Sequence, residues 1–125
     1  MLVDTDVLIR HLRGYPEAAH RLDCLDTLEI SVVTHLELLQ GMRNKAEIDA
    51  LKKTFERRRA VVHPLTEAVS ERAIFLMETL VLSHGLQMGD ALIAATALQT
   101  QSTLLTGNVR HFAPIAGLAV EAFRP

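Results

Sequence analysis

The chain has 125 residues and a formal net charge of −2, which predicts one small domain over residues 1–125 and excludes a general basic field that would attract nucleic acid. Any attraction for phosphate must therefore be local or come through a bound metal. The single cysteine excludes a disulfide framework and a four-cysteine zinc site. We expect Cys24 to be a small buried hydrophobe, and the lack of a long apolar run or a signal-peptide pattern predicts a soluble, cytoplasmic protein without membrane contact.

The first half of the chain alternates apolar runs with helical patterns. The run MLV predicts a short strand, followed by a helix that Thr5 or Asp6 is expected to cap and Gly14 to end. A second helix is predicted to begin at Pro16. The β-branched segment TLEISVV predicts a strand, and THLELLQ and KAEIDALKKTFERRR predict two further helices.

The second half continues the alternation. The segment AVVHP predicts a short strand halted by Pro64, and TEAVSERAIFLMETLVLSHG predicts a long helix with Thr66 as its cap and Gly85 at its end. The small, apolar MGDALIAATALQTQ predicts a buried helix, and STLLTGN and LAVEAF predict two final strands. Alternating strands and helices indicate an α/β domain with a mostly parallel sheet, in which ligands bind beyond the carboxyl ends of the strands.

Four polar side chains follow predicted strands or begin the buried helix: Asp4, Glu37, Asp90 and Asn108. Each has a purely structural interpretation. Asp4 and Asp90 can cap helices, Glu37 can form a capping box with Thr34, and Asn108 is a common turn residue. Capping explains the four residues less well as a set. One cap is enough for the turn at Asp4-Thr5-Asp6, which leaves the other Asp unexplained. Asp90, at the start of a buried helix, would be costly to bury as a charge without a neutralising partner.

These side chains favour a metal site if they gather at one sheet edge. Three carboxylates there would raise each other's pKa unless a cation balanced their charge. Oxygen ligands without a thiolate favour Mg²⁺ or Mn²⁺, the six histidines show no zinc spacing, and His111 is expected to be a surface or packing residue. Such an ion can turn water into a nucleophile, so the residues predict hydrolysis of a phosphodiester.

Four segments, in this order and spacing, resemble the motifs of PIN-domain ribonucleases, above all the VapC toxins of bacterial toxin–antitoxin pairs: VDTDVLI, SVVTHLELLQG, MGDALIAATAL and LLTGNVRHF. The resemblance spans essentially the whole chain. It implies a PIN-like three-layer α/β/α sandwich with a mostly parallel sheet of about five strands. It also implies that Asp4, Glu37 and Asp90 are the catalytic acids, which hold Mg²⁺ or Mn²⁺ and activate the attacking water.

The resemblance gives three other residues lesser roles. Asp6 stands where the family often has Asn and is expected to support the site, as is Thr106. Asn108 stands where many members have a fourth acid. It is a further candidate ligand that leaves the site one charge short, so a second metal is expected to bind weakly or only with RNA present.

Partners are also implied by the resemblance. VapC toxins cleave specific RNAs, often structured ones such as tRNA, and usually form homodimers. A cognate VapB-type antitoxin blocks the site and binds operator DNA, so a toxin–antitoxin hetero-oligomer is expected, with DNA contacted only through the antitoxin.

Two other interpretations stay open. The segment MLVDTDVLI also resembles the opening of haloacid-dehalogenase-type phosphatases, in which the first Asp attacks phosphorus. Against it, Ala94 stands where the second Asp of a later acidic pair is expected, and no lysine follows Lys53. Alternatively, the chain is a non-catalytic binding module whose acids only cap helices.

Overall fold

The computed structural model describes residues Met1–Pro125 and contains one sheet of five short parallel strands in the order β3-β2-β1-β4-β5. The strands are β1 (Leu2–Val3), β2 (Glu29–Ser31), β3 (Val61–His63), β4 (Leu104–Thr106) and β5 (Val120–Ala122). β1 lies at the centre, paired with β2 on one side and with β4 on the other. The carboxyl ends of all five strands therefore open on one edge of the sheet.

Seven helices connect or follow the strands: α1 (Thr5–Leu12), α2 (Pro16–Asp23), α3 (Val32–Gln40), α4 (Lys45–Arg57), α5 (Glu67–His84), α6 (Met88–Gln99) and α7 (Val109–Phe112). None of them is long and apolar enough to cross a membrane. The predicted elements up to α6 and the final strands are present, whereas α7 was not predicted, because a helix of four residues is too short to show a periodic pattern.

The two faces of the sheet carry separate cores. Leu2 and Leu104 pack with residues of α5 and α6 on one face, and Val3 and Leu105 pack with residues of α1, α2, α3 and α4 on the other. This alternation follows from the opposite directions of successive strand side chains, and burial on both faces suits an all-parallel sheet. The predicted three-layer α/β/α sandwich is confirmed.

The buried helix α6 lies directly below the strand ends. Its alanines Ala91, Ala94, Ala95 and Ala97 are all fully or almost fully buried, because small side chains let the helix approach both the sheet and α5 closely. The helix begins at Met88, so the acid in its first turn, Asp90, is brought to the carboxyl edge of the sheet.

Local caps were predicted with mixed success. Thr66 accepts a hydrogen bond from the Val69 amide and Gly85 ends α5 in the left-handed region (φ 65°), as predicted. The capping box at Thr34 was wrong, because the Ser31 side chain caps α3 three residues earlier and draws Val32 and Val33 into the helix rather than the strand.

Three other expectations need correction. α1 is capped by Asp4, not by Thr5 or Asp6. Asp90 is no cap either, since Gln87 occupies that position before α6. Cys24 is exposed rather than buried, because it lies at the C-terminal end of α2, where its Sγ donates to the His20 carbonyl.

Candidate active site

Asp4 lies at the end of the central strand and is only 4% exposed. Its Oδ1 accepts a hydrogen bond from the Thr5 amide at 2.8 Å, and its Oδ2 accepts one from the Thr106 hydroxyl at 2.6 Å. The first contact caps α1, and the second ties Asp4 to the end of neighbouring β4. Thr106 also accepts from the Asn108 amide at 2.9 Å, so one hydroxyl connects Asp4 to the loop after β4.

Glu37 is held at the same edge by a threonine that sequence reasoning treated only as a cap. The Thr5 hydroxyl donates to Glu37 Oε1 at 2.7 Å and lies 2.9 Å from the Thr34 hydroxyl. These contacts join α1 to α3. The Glu37 carboxylate also reaches α6, because a Cβ added at Gly89, the residue before Asp90, would lie 3.5 Å from Glu37 Oε2.

Asp90 contacts a histidine that was expected only at the surface or in packing. Asp90 Oδ2 lies 3.2 Å from His111 Nδ1, and the His111 side chain is 57% exposed. His111 is thus a surface residue as expected, but it also touches the acid cluster. The short helix α7 places His111 beside Asp90. Because α7 was not predicted from the sequence, this contact was not predicted either.

Asp6 packs against the loop that follows β4. Its Oδ2 accepts from the Gly107 amide at 2.9 Å, whereas its Oδ1 is buried and has no hydrogen-bond partner. A Cβ at position 107 would lie 2.5 Å from Asp6 Oδ2, so any side chain larger than that of glycine would displace the Asp6 carboxylate. The unpartnered oxygen marks a position where a donor or a cation would be stabilised.

The acids at this edge are electrostatically strained. Burial raises the pKa of Asp4 to about 7, opposed by the hydrogen bond from Thr106 and reinforced by the charge of Asp6. Burial also raises the pKa of Asp90, opposed by His111 and reinforced by Glu37 and Asp6. Asp4, Asp6, Glu37 and Asp90 thus form one group of mutually repelling carboxylates, which we call the acid cluster.

The acid cluster fits a hard divalent cation in charge and in donor chemistry. All its donors are oxygens, two of its carboxyls have raised pKa values, and the Asp6 Oδ1 is left without a partner. As the side chains lie, no three acidic, histidine or cysteine residues converge on one point at ligand distance. Ions such as Mg²⁺ keep several water ligands and need few direct protein contacts. Asn108 is exposed at the rim of the cluster and is the least constrained of the candidate ligands.

Fold and acid cluster together define a PIN domain: residues 1–118 match that family, and the chain belongs to it. Among similar proteins is ribonuclease VapC10 of Mycobacterium tuberculosis, 42% identical over 118 residues that cover 90% of this chain and 85% of the relative.

Two solved structures show the same fold. One is a toxin–antitoxin complex from Klebsiella pneumoniae, which contains a chain 26% identical to this one, with a TM-score of 0.82 and coverage of 98% of this chain and 97% of that chain. The other is VapBC-1 from nontypeable Haemophilus influenzae, with 26% identity, a TM-score of 0.80 and coverage of 98% and 96%. The resemblance to the VapC group is confirmed, and with it the phosphatase interpretation is set aside.

Proposed function

We propose that this protein is a Mg²⁺- or Mn²⁺-dependent endoribonuclease and the toxin of a VapBC-type toxin–antitoxin module. The observation that carries the proposal is the acid cluster: four mutually repelling carboxylates, among them the buried Asp4, with no lysine or arginine in contact, at the edge of the sheet where α/β proteins bind ligands. The relative that is 42% identical to this chain is a ribonuclease, which supports RNA as the substrate.

In this proposal Asp4, Glu37 and Asp90 hold the metal, and Asn108 is a further candidate ligand. The bound ion would polarise a phosphodiester oxygen and lower the pKa of the attacking water. The chain's own contacts orient the ligands: the Thr106 hydroxyl fixes Asp4 Oδ2, and the Thr5 hydroxyl fixes Glu37 Oε1. Such supporting hydrogen bonds set the direction of a ligand's free lone pairs.

Asp6 has a supporting role in this scheme. The Gly107 amide holds one of its oxygens, which leaves the other, Oδ1, free to accept from a water molecule in the cluster. His111 plays a similar part for Asp90, because its Nδ1 lies within reach of Asp90 Oδ2 and limits the rotation of that carboxylate.

Partners follow from the relatives. Because the similar Klebsiella and Haemophilus proteins were solved as toxin–antitoxin or VapBC complexes, we propose a VapB-type antitoxin as the partner, in a hetero-oligomer built on a toxin homodimer. Operator DNA would be bound only through the antitoxin. Structured RNA such as tRNA is the proposed substrate class, and we propose a cytoplasmic location to match.

The rival proposal is a binding module whose acids only cap helices. Asp4 does cap α1, but Asp6, Glu37 and Asp90 cap no helix, and capping alone gives no reason to leave repelling acids without cations. The distinction is open to direct test.

The test uses total RNA incubated with purified, antitoxin-free protein and Mg²⁺ or Mn²⁺, with cut ends mapped by sequencing. Asp4→Asn is the matched variant, because asparagine also caps helices well but removes the carboxylate charge. We expect discrete cuts that disappear with EDTA, return with added metal and are absent from Asp4→Asn. Absence of cuts from the folded wild-type protein would favour the binding module.

A further inference from the structure

We propose that a second pocket beside the acid cluster seats a backbone phosphate of the RNA strand next to the phosphate that is cut, and that Arg110 and Arg124 hold it. The inference rests on the proposed function, and it adds two substrate-positioning residues that lie outside the acid cluster.

The pocket has a volume of about 500 Å³ and lies beyond the carboxyl ends of β4 and β5. Its lining includes Arg110 and Arg124, together with Gly107 and His111. Gly107 donates its amide to Asp6, and His111 contacts Asp90. Two residues of the pocket wall therefore contact acids of the cluster, so the pocket adjoins the acid cluster and one RNA strand can contact both.

The two arginines of this pocket are electrostatically free. Three other arginines of the chain form ion pairs with acids: Arg21 with Glu121, Arg43 with Glu47, and Arg58 with Asp23. Neither Arg110 nor Arg124 forms such a pair, both are exposed, and no acidic side chain lines the pocket. Their charges are thus available to an anion that the protein itself does not supply.

A phosphate is the anion that the surroundings require. A phosphodiester strand approaching the acid cluster is repelled by it, and the net charge of −2 gives no general attraction. Guanidinium groups bind phosphate oxygens through paired N–H donors, so two free arginines at the rim offset that repulsion where the strand enters.

The pocket favours the backbone of the strand over its bases. Its phenyl ring, Phe123, is only 6% exposed and cannot offer a ring face for base stacking. Its other ring, the His111 imidazole, is engaged with Asp90 through Nδ1 at 3.2 Å. Contacts to phosphate position a strand without selecting its sequence. We therefore assign the pocket to affinity and register, while sequence preference must arise elsewhere.

The test compares Arg110→Gln, Arg124→Gln and the double variant with Arg72→Gln as the matched control. Arg72 is also an exposed arginine, but it bonds to Gln99, nine residues beyond Asp90 on α6, or roughly 13 Å along the helix axis. Each single substitution removes one positive charge. Since Arg110 and Arg124 are exposed and unpaired, we expect all variants to fold with an unchanged melting temperature.

Binding is measured with a fluorescent oligouridylate over a range of KCl concentrations, in an Asp4→Asn background so that the RNA stays intact. The logarithm of the association constant falls linearly with log[salt]. Loss of one neutralised phosphate should make this slope shallower by about 0.7 to 1 in the double variant. The Arg72→Gln slope should equal that of the parent protein.

Kinetics then locate the phosphate. On RNA with a mapped cut site, the double variant should raise KM about tenfold and change kcat less than about twofold. Replacing the linkage next to the cut with an uncharged methylphosphonate should raise the KM of the wild type by a similar factor. It should leave the KM of the double variant almost unchanged, because the two arginines that bind this charge are already absent.

The outcomes separate this inference from the proposed function. If the pocket variants match Arg72→Gln in salt slope and KM, the inference is overturned while the nuclease stands. If the wild type cleaves no RNA, the nuclease proposal fails, and with it the position of the phosphate next to a cut. The oligouridylate slopes still test phosphate binding by the two arginines: a shallower slope in the double variant supports it and an equal slope overturns it.

Discussion

Three acids on the outer surface of this protein and the acids at the carboxyl edge of its sheet have different kinds of partner. On the surface, Glu47, Asp23 and Glu121 each contact an arginine at 2.5 to 2.8 Å. In the acid cluster no lysine or arginine contacts a carboxylate, and the partners are hydroxyls, backbone amides and His111. For these three surface acids the chain itself supplies the cation, whereas for the acids at the sheet edge it supplies no lysine or arginine.

The same contrast is visible in the acid–base properties. A hydrogen bond from Arg43 lowers the pKa of Glu47 on the surface, whereas burial raises the pKa of Asp4 to about 7. A carboxylate whose pKa is raised in the fold lowers the stability of the fold as it ionises towards neutral pH. Its presence at the sheet edge is best explained by a function that uses the charge.

The largest expected effect comes from removing one charge from the acid cluster. Asp4→Asn should lower kcat for RNA cleavage by about 1,000-fold or more, because loss of a metal ligand removes several kcal/mol of transition-state stabilisation. The fold should survive, since asparagine keeps the cap on α1. Single-turnover cleavage assays and thermal melts check both points, and a variant with near-normal activity would refute the assignment of Asp4.

Next in size is the pH dependence of stability without metal. Asp4 has a folded-state pKa of about 7 against an ordinary value of 3.8, so the folded state binds its proton more tightly than the unfolded state. The stability contribution of Asp4 is therefore lost as pH rises from about 4 to 7, on the order of 4 kcal/mol.

Urea unfolding in EDTA measures this loss as the difference between wild type and Asp4→Asn across pH. The wild type should lose stability relative to the variant as pH rises, and added Mg²⁺ should oppose the loss. A difference that stays constant from pH 4 to 7 would contradict the raised pKa.

Thr106→Val should have a smaller effect, on stability and activity together. It removes the donor to Asp4 Oδ2 and the acceptor for the Asn108 amide. Leaving buried polar groups without partners should lower the free energy of unfolding by about 1 to 3 kcal/mol. Thr106→Ser keeps the hydroxyl and is the control. Equal losses of activity in both variants would show that packing, not the hydrogen bond, matters.

Gly107→Ala tests the packing of Asp6. The new Cβ would lie 2.5 Å from Asp6 Oδ2, so Asp6 must move, and activity should fall about tenfold, as is typical for residues that support metal ligands. Gly41→Ala is the control, because its nearest contact is an ordinary 3.6 Å from the Leu38 carbonyl. If both variants are equally active, the position of Asp6 has no bearing on cleavage.

The smallest effect is expected on the surface. Glu47→Gln breaks an exposed ion pair with Arg43, and exposed pairs contribute little because water and salt screen them. Cleavage rates should be unchanged and the melting temperature nearly so. A large loss of activity would show that Glu47 also contributes to cleavage, although it lies outside the acid cluster.

Much of this fold could be predicted from local patterns. Alternating apolar runs indicated the strands, and Thr66 and Gly85 marked the ends of α5. Local patterns were wrong where two of them competed, as at Val32 and Val33, whose β-branched side chains favour a strand although the Ser31 cap begins a helix there. The strand order could not be deduced, because it depends on packing between residues far apart in the chain.

The site shows the same division. The positions of Asp4, Glu37 and Asp90 were predicted from motifs, and the structure brings all three to one edge; their catalytic roles stay a prediction. Thr106 was expected to support the site, and it donates to Asp4. The contacts of Thr5 with Glu37 and of Gly107 with Asp6 were missed, because they join residues 32 and 101 positions apart in the chain. Contacts of that kind exist only after the whole sheet has formed.

One such contact has a consequence for synthesis of the protein. The Asp4 carboxyl is held by Thr106, 102 residues later in the chain, and the central strand β1 has its second neighbour only when β4 is made. A chain emerging from the ribosome from its N-terminus carries its first acid almost at once but cannot assemble the cluster until nearly all of it has been translated. The nascent polypeptide therefore lacks a complete acid cluster during almost all of its synthesis.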